Sequence, residues 1–175
     1  MQLSPLQLLE YAVDSVEIRA VDGYDNAKRD PALVMPPQGM RMASDIGIAV
    51  LQEAASYSDF GLRFKLSVTA EPGTMLPYAV QVSMVGTVRM HDEPDRDKRQ
   101  ALALVNGISL LCGAARDVVA QITSRSRYGQ MLLPTLNFAK LAEQQPHSVP
   151  ASGKAIKAKA RKSRDSHRKP KAVTA

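Results

Sequence analysis

The sequence predicts a segregated α+β domain, a four-stranded antiparallel sheet followed by packed helices. Three observations carry this. Apolar residues alternate with period two through the first half. They recur at spacings of three and four after residue 95. The change of period falls in one charged, proline-containing stretch, HDEPDRDKR at 91–99.

Within LQLLEYAVDSVEIRAV (6–21), Val16, Ile18 and Ala20 face one way and Glu17 and Arg19 the other, which predicts a strand with one wet face. Residues 22–39 are rich in turn formers, and Pro36-Pro37 favours an extended loop. Ile46, Ile48 and Val50 alternate in a second strand within 41–57, with a bend expected near Ser58-Asp59. The third strand, 61–72, sets Leu62, Phe64, Leu66 and Val68 against Arg63, Lys65, Ser67 and Thr69. The EPGT turn (71–74) leads into a fourth strand at 77–90, where Val80, Val82 and Met84 share a face with Gly86 and Val88, so the last two strands form a hairpin.

Asp95 is placed to cap a helix over 96–105, with acidic residues near its positive end. Asn106-Gly107 predicts a break, followed by a longer helix over 108–125. On that helix Leu111, Ala115, Val118 and Ile122 form one apolar stripe, a core or oligomer-contact face. LNFAKLAEQQ (136–145) predicts a short last helix. Residues 1–145 therefore read as one domain. Residues 146–175 read as a linker and a basic tail whose composition predicts disorder.

The 175 residues suffice for one domain with a real core. The single cysteine, Cys112, precludes an intrachain disulfide and suits a reducing cytoplasm. The N-terminus lacks the pattern of a signal peptide, and no apolar run approaches the roughly 18–20 residues of a membrane span. The net charge of +6 is unevenly placed. Lys154 to Lys171 carries nine Lys/Arg and one acid, a net +8, while the rest of the chain has 14 basic and 16 acidic residues, a net −2. Such a tail suits nucleic acid, anionic lipid or an acidic protein surface, or serves only as a solubilising extension. No aromatic residue interleaves it, which argues against base stacking.

Glycine-rich phosphate loops, G-x-S-x-G and H-E-x-x-H are absent from the sequence, so the expectation is a non-enzyme without cofactor, catalytic residue or metal. His91 lies among Asp92, Glu93, Asp95 and Asp97, but neighbours on an extended chain point apart, and a solvated turn leading to a helix cap explains the run. Cys112, beside an apolar stripe, reads as packing. The alternating hairpin faces read by default as core. Against that, aromatics are only 5% and several of the eight methionines fall near turns. A pliable apolar groove including Val82 and Met84 therefore stays open beside the core reading.

The stretch RDVVAQITSRSRYGQMLLPTLNFAKL (116–141) resembles the C-terminal helix, turn and last helix of the bacterial export chaperone SecB family. It carries Arg116-Asp117 early in the long helix, Ser124-Arg125 at its end and Tyr128 in the turn. Gln130 and apolar residues then precede Pro134, and Asn137-Phe138 stands three residues before Leu141. YAVDSVEIRA (11–20) is similar to the family's first strand, including an acid at Asp14. The resemblance implies an ATP-independent holdase that keeps unfolded preproteins competent for export. It implies a dimer of dimers built through first strands and helices, and grooves in which Leu132, Leu133 and Leu136 present apolar surface. It also implies a SecA contact at Asp14. The sequence departs from the family in its few aromatics and weakly charged domain, and a SecB-like chaperone of a toxin–antitoxin system, or a nucleic-acid or ribosome-associated module acting through the tail, are the alternatives.

Overall fold

The computed structural model describes residues 3–28, 39–91 and 95–139. It contains β1 (Leu6–Ala20), β2 (Met40–Glu53), β3 (Tyr57–Ala70), β4 (Tyr78–His91) and α1 (Arg96–Ser124). The strands form one antiparallel sheet in the order β1-β4-β3-β2. Two hairpins build β2-β3-β4, and β1 closes onto the outer side of β4. The architecture is thus the segregated α+β arrangement that the change of period predicts.

Register puts the alternating apolar residues of all four strands on one face. Phe64 lies opposite Ile46 on β2 and Met84 on β4, and Met84 in turn lies opposite Val13 on β1. The two central strands supply the floor of the core: Phe60, Leu62, Phe64, Leu66 and Val68 from β3, and Val80, Val82, Met84, Val88 and Met90 from β4. Each such side chain stabilises by about 1.5–3 kcal/mol over leaving it in water. The opposite face carries Arg63, Lys65 and Thr69, which are exposed.

The bend between β2 and β3 falls at Ala54–Ser56, not at Ser58-Asp59, and is closed by the Ala54 N–H donating to the Tyr57 carbonyl at 2.9 Å. Ser58 and Asp59 are instead buried residues of β3. Gly61, where the sequence suggests a strand beginning, lies inside β3. A register shift between Val50 and Gln52 leaves Leu51 unpaired with its side chain over Gly61, and a Cβ there would stand 3.3 Å from Leu51 Cδ2. The extra residue in β2 is thus matched by the missing side chain in β3.

The expected break at Asn106-Gly107 does not occur: α1 is one helix of 29 residues. Asp95 caps it as predicted, its Oδ1 accepting from the N–H groups of Asp97 (3.0 Å) and Lys98 (3.2 Å). Gly107 weakens the helix intrinsically, by about 1 kcal/mol relative to alanine. It is there because the helix touches the sheet at this point: a Cβ would collide with Leu62 Cδ1 and meet Val88 Cγ1 at 3.4 Å. One turn further, Gly86 of β4 answers it, since a Cβ there would stand 2.9 Å from Leu111 Cδ2. By length and composition α1 is also apolar enough to cross a membrane, contrary to the sequence expectation, but its apolar character is what a helix lying on a sheet requires. The expected last helix at 136–145 has no helical turn over 136–138, and 140–145 lie outside the described residues.

Gly107→Ala is expected to cost about 1–3 kcal/mol despite its better helix propensity, because Leu62 must leave its position. A denaturant midpoint that does not fall, at an unchanged slope, would contradict the contact.

Candidate functional site

After Ser124 the chain turns and runs back over the helix–sheet junction without regular structure to Phe138. Specific side chains hold this strap. Arg125 and Ser126 donate from their backbones to Ile122 and Thr123, and Gly129, at φ +76°, takes the left-handed turn that a side chain would resist. Tyr78 at the start of β4 clasps the turn. Its hydroxyl accepts from the Tyr128 N–H at 2.8 Å and donates to the Gly129 carbonyl at 3.1 Å. The Tyr128 hydroxyl donates to the Val21 carbonyl at 2.9 Å, and its ring meets Tyr24 edge-on. Thr123, buried at the end of α1, donates to the Val119 carbonyl and accepts from the Met131 N–H at 2.9 Å. Arg116 Nε donates to the Leu133 carbonyl at 2.8 Å. Met131, Leu133 and Phe138 are buried, and Phe138 packs edge-on against Phe64 with ring centroids 5.9 Å apart.

The candidate groove residues separate into two groups. Val82 and Met84 are 0% exposed and belong to the core floor, and Leu133 is the strap's own buried residue. None of the three lines an open groove here. Leu136 is half-buried and Leu132 is 43% exposed. The helix stripe also divides. Leu111 and Ala115 are buried, but Val118 is half-buried and Ile122 is 41% exposed. The buried face runs instead through Leu104, Ile108, Leu111, Cys112, Ala115, Val119 and Thr123. Asp14 sits where the register of β1 shifts between Val13 and Ser15, and accepts from the Ser83 hydroxyl at 3.1 Å.

The surface that sequence reasoning missed lies along the sheet edges. Tyr11 (55% exposed), Leu8, Val13 and Val16 of β1 face the helix side of the sheet yet stay exposed. Met42 and Val50 do the same on β2. Alternation identifies the face on which such residues lie, and not whether a helix reaches them. The signal available was strand number: four strands spaced about 4.8 Å apart make a sheet wider than one helix of about 10 Å diameter covers.

Charge at the other end of the sheet is paired. Arg89 meets Asp59 with two bonds, Nε–Oδ1 at 2.7 Å and Nη2–Oδ2 at 2.8 Å, while its guanidinium lies 4.2 Å from the Tyr57 ring centroid. These bonds hold the Asp59 carboxyl below its ordinary 3.8, burial working against them, and they raise Arg89 in turn. Arg99, buried on the first turn of α1, donates to the Ser58 hydroxyl at 2.8 Å and so ties the helix to β3. His91 lies beside the Tyr57 ring, and among the described residues no group of three His, Cys, Asp or Glu is arranged to hold a metal. Burial pushes the Cys112 thiol up, opposed by the Arg116 charge and by a Leu136 backbone N–H at the sulfur, so the cysteine is packed rather than activated.

An antiparallel sheet roofed by one helix and an extended strap, with apolar side chains continuing into the open along both edges, defines an α+β protein whose chemistry is that of an apolar surface. The family model described as preprotein translocase subunit SecB matches residues 37–148. The chain belongs to the SecB family, a family of chaperones. Among solved structures, the Mycobacterium tuberculosis SecB-like chaperone in complex with a ChAD peptide from the HigA1 antitoxin is similar at 17% identity and a TM-score of 0.47, over 75% of this chain and 91% of that one. A protein of unknown function from Streptococcus agalactiae is similar at 9% identity and the same TM-score, over 74% of this chain and 96% of that one. No curated protein sequence is significantly similar to the chain.

Because the folded-state pKa of Asp59 is depressed, its contribution to stability is complete above the ordinary carboxyl value of 3.8 and is lost as pH falls through the lower folded value. Asp59→Asn is therefore expected to flatten the acid limb of a stability–pH curve while leaving its neutral shape alone. An unaltered acid limb would show that the pair is not what titrates.

Proposed function

We propose that the protein is an ATP-independent holdase that binds unfolded, export-bound chains and keeps them from aggregating. Membership of the SecB family supports this. The observation that carries it is the row of exposed apolar side chains, Leu8, Tyr11, Val13 and Val16 on one edge and Met42 and Val50 on the other, in direct continuation of the covered core. A surface that accepts many sequences needs area and pliability more than a shaped pocket. Leu132 and Leu136 extend the same surface from the strap. The protein would act in the cytoplasm, where SecB-family chaperones work, with residues 1–145 as the working domain.

Part of that surface would serve assembly. A dimer of dimers would use β1 and the outer side of α1, where Val118 is half-buried and Ile122 exposed in the single chain. Docking to SecA through Asp14 belongs to the same reading. The basic tail, +8 between Lys154 and Lys171, would tether the chaperone to an anionic surface or nucleic acid.

Light scattering of a chemically unfolded client should fall when the full-length protein is added without nucleotide, and residues 1–150 should suppress aggregation as well. Undiminished aggregation at excess chaperone would refute the holdase reading. Ile122→Asp is expected to reduce the mass found by size exclusion with mass detection while leaving the circular dichroism of the fold intact. An unchanged mass would remove this side of α1 from the assembly.

A further inference from the structure

The face of the sheet turned away from α1 is left open by the helix and the strap, and its charges are laid out in columns. β1 presents Glu10, Asp14 and Glu17, with Arg19 at the far end bridged to Glu17. β4 presents Gln81, Ser83, Val85 and Thr87, none of them charged. β3 presents Arg63 and Lys65, followed by Ser67 and Thr69. An acidic, a neutral and a basic column therefore run side by side, with β4 in the middle.

Hydrogen bonds fix the acids on this face. The Ser83 hydroxyl donates to Asp14 Oδ2 at 3.1 Å, and the Thr87 hydroxyl donates to Glu10 Oε1 at 3.1 Å. The register shift between Val13 and Ser15 leaves Asp14 outside the β1-β4 ladder, and its side chain turns onto this face to reach Ser83. Ser83 pairs with Ser15 on one side and with Lys65 on the other. Asp14 and Lys65 thus flank Ser83 at one level, about 4.8 Å to either side of β4. At the next level Val85 separates Ala12 from Arg63. Arg63 also has Asp45 of β2 beside it, at 3.6 Å.

We propose that this face pairs with the same face of a second copy of the chain, about a two-fold axis running along β4. Such an axis lays β1 of each copy over β3 of the other, so every contact between them is made twice. Asp14 of each copy then meets Lys65 of the other. Ala12, with Glu10 and Asp14 on either side of it, comes over Arg63, and Arg19 comes over Thr69. No like charges are opposed between β1 and β3. Along the axis β4 meets itself through uncharged residues, and Arg89 near its end is already neutralised by Asp59. Sheets stack about 10 Å apart, a gap that a lysine and a carboxylate can bridge. A contact spanning β1, β4 and β3 over about ten residues of each covers on the order of 500 Å² a side, the low end for protein interfaces. The pairing is therefore weak, reversible and sensitive to salt. It is independent of the holdase reading and goes beyond it. Pairing covers Asp14, so a paired copy offers no docking point there, while the apolar edges on the opposite face stay open.

Sedimentation velocity of the full-length protein at about 0.02 M and about 0.5 M salt tests this. At low salt the mass should rise with concentration above the unit found at high salt. Asp14→Lys and Lys65→Asp are each expected to weaken this association by at least about tenfold, because each sets like charges against one another twice. An equimolar mixture of the two variants should associate as the wild type does, since each copy supplies the charge that the other has lost. Recovery in the mixture also shows that both variants are folded. A wild type whose mass does not rise, single variants that associate undiminished, or a mixture that stays apart would overturn the proposal. Loss in Asp14→Lys with Lys65→Asp unaffected would assign the acids of β1 to the chain's own basic tail, and would overturn it as well.

Discussion

The close approach of α1 to the sheet is the constraint on which the rest of the structure depends. Gly107 on the helix and Gly86 on β4 each omit a side chain where the facing element contributes a leucine, Leu62 to the first and Leu111 to the second. Two reciprocal leucine-into-glycine contacts one turn apart fix the height and direction of the helix. A single helix set this low lies over β4, β3 and the near side of β1 and scarcely reaches β2. The buried centre and the bare apolar edges are therefore two outcomes of one placement. The strap then fills what the helix leaves open on the β2 side, through Phe138 on Phe64, while β1 keeps Tyr11 and Val13 in the open.

Polar groups locate this arrangement more than they power it. Arg99 ties the first turn of α1 to Ser58, Thr123 ties its last turn to Met131, and Arg116 ties its middle to Leu133. Tyr78 joins the beginning of β4 to the turn beyond the helix, fifty residues away in sequence. Each bond is worth roughly 0.5–1.5 kcal/mol net, small beside the burial of the core. Their value is directional: the apolar strap could slide along the groove with little change in buried area, and these donors and acceptors permit one register.

The strands were legible because their alternation is local and strong, and the Asp95 cap and the EPGT turn because their chemistry is. The helix was misjudged at one residue. Asn106-Gly107 has the composition of a stop, and only the facing Leu62 gives the glycine its other meaning. The stripe erred separately. From Ala115 both Val118, three residues on, and Val119, four on, fit the helical spacing, and the sheet buries Val119 together with Leu104, Ile108, Leu111 and Ala115. Ser58 and Asp59 look like a polar bend until Arg99 and Arg89 supply partners from distant parts of the chain. The strap resembled the family in sequence, but its extended path depends on Thr123, Arg116 and Tyr78 together, a three-dimensional set that no local pattern displays.

The order of elements along the chain bears on how the molecule is made. All four strands precede the helix and strap that roof them. During synthesis at about 5–20 residues per second, the roughly forty residues from Arg96 to Ala139 take on the order of seconds to appear. Throughout that interval Phe60, Leu62, Phe64 and their β4 neighbours lack the helix and strap that later hide them. A member of a chaperone family thus passes through a stage in which its own apolar core has no cover.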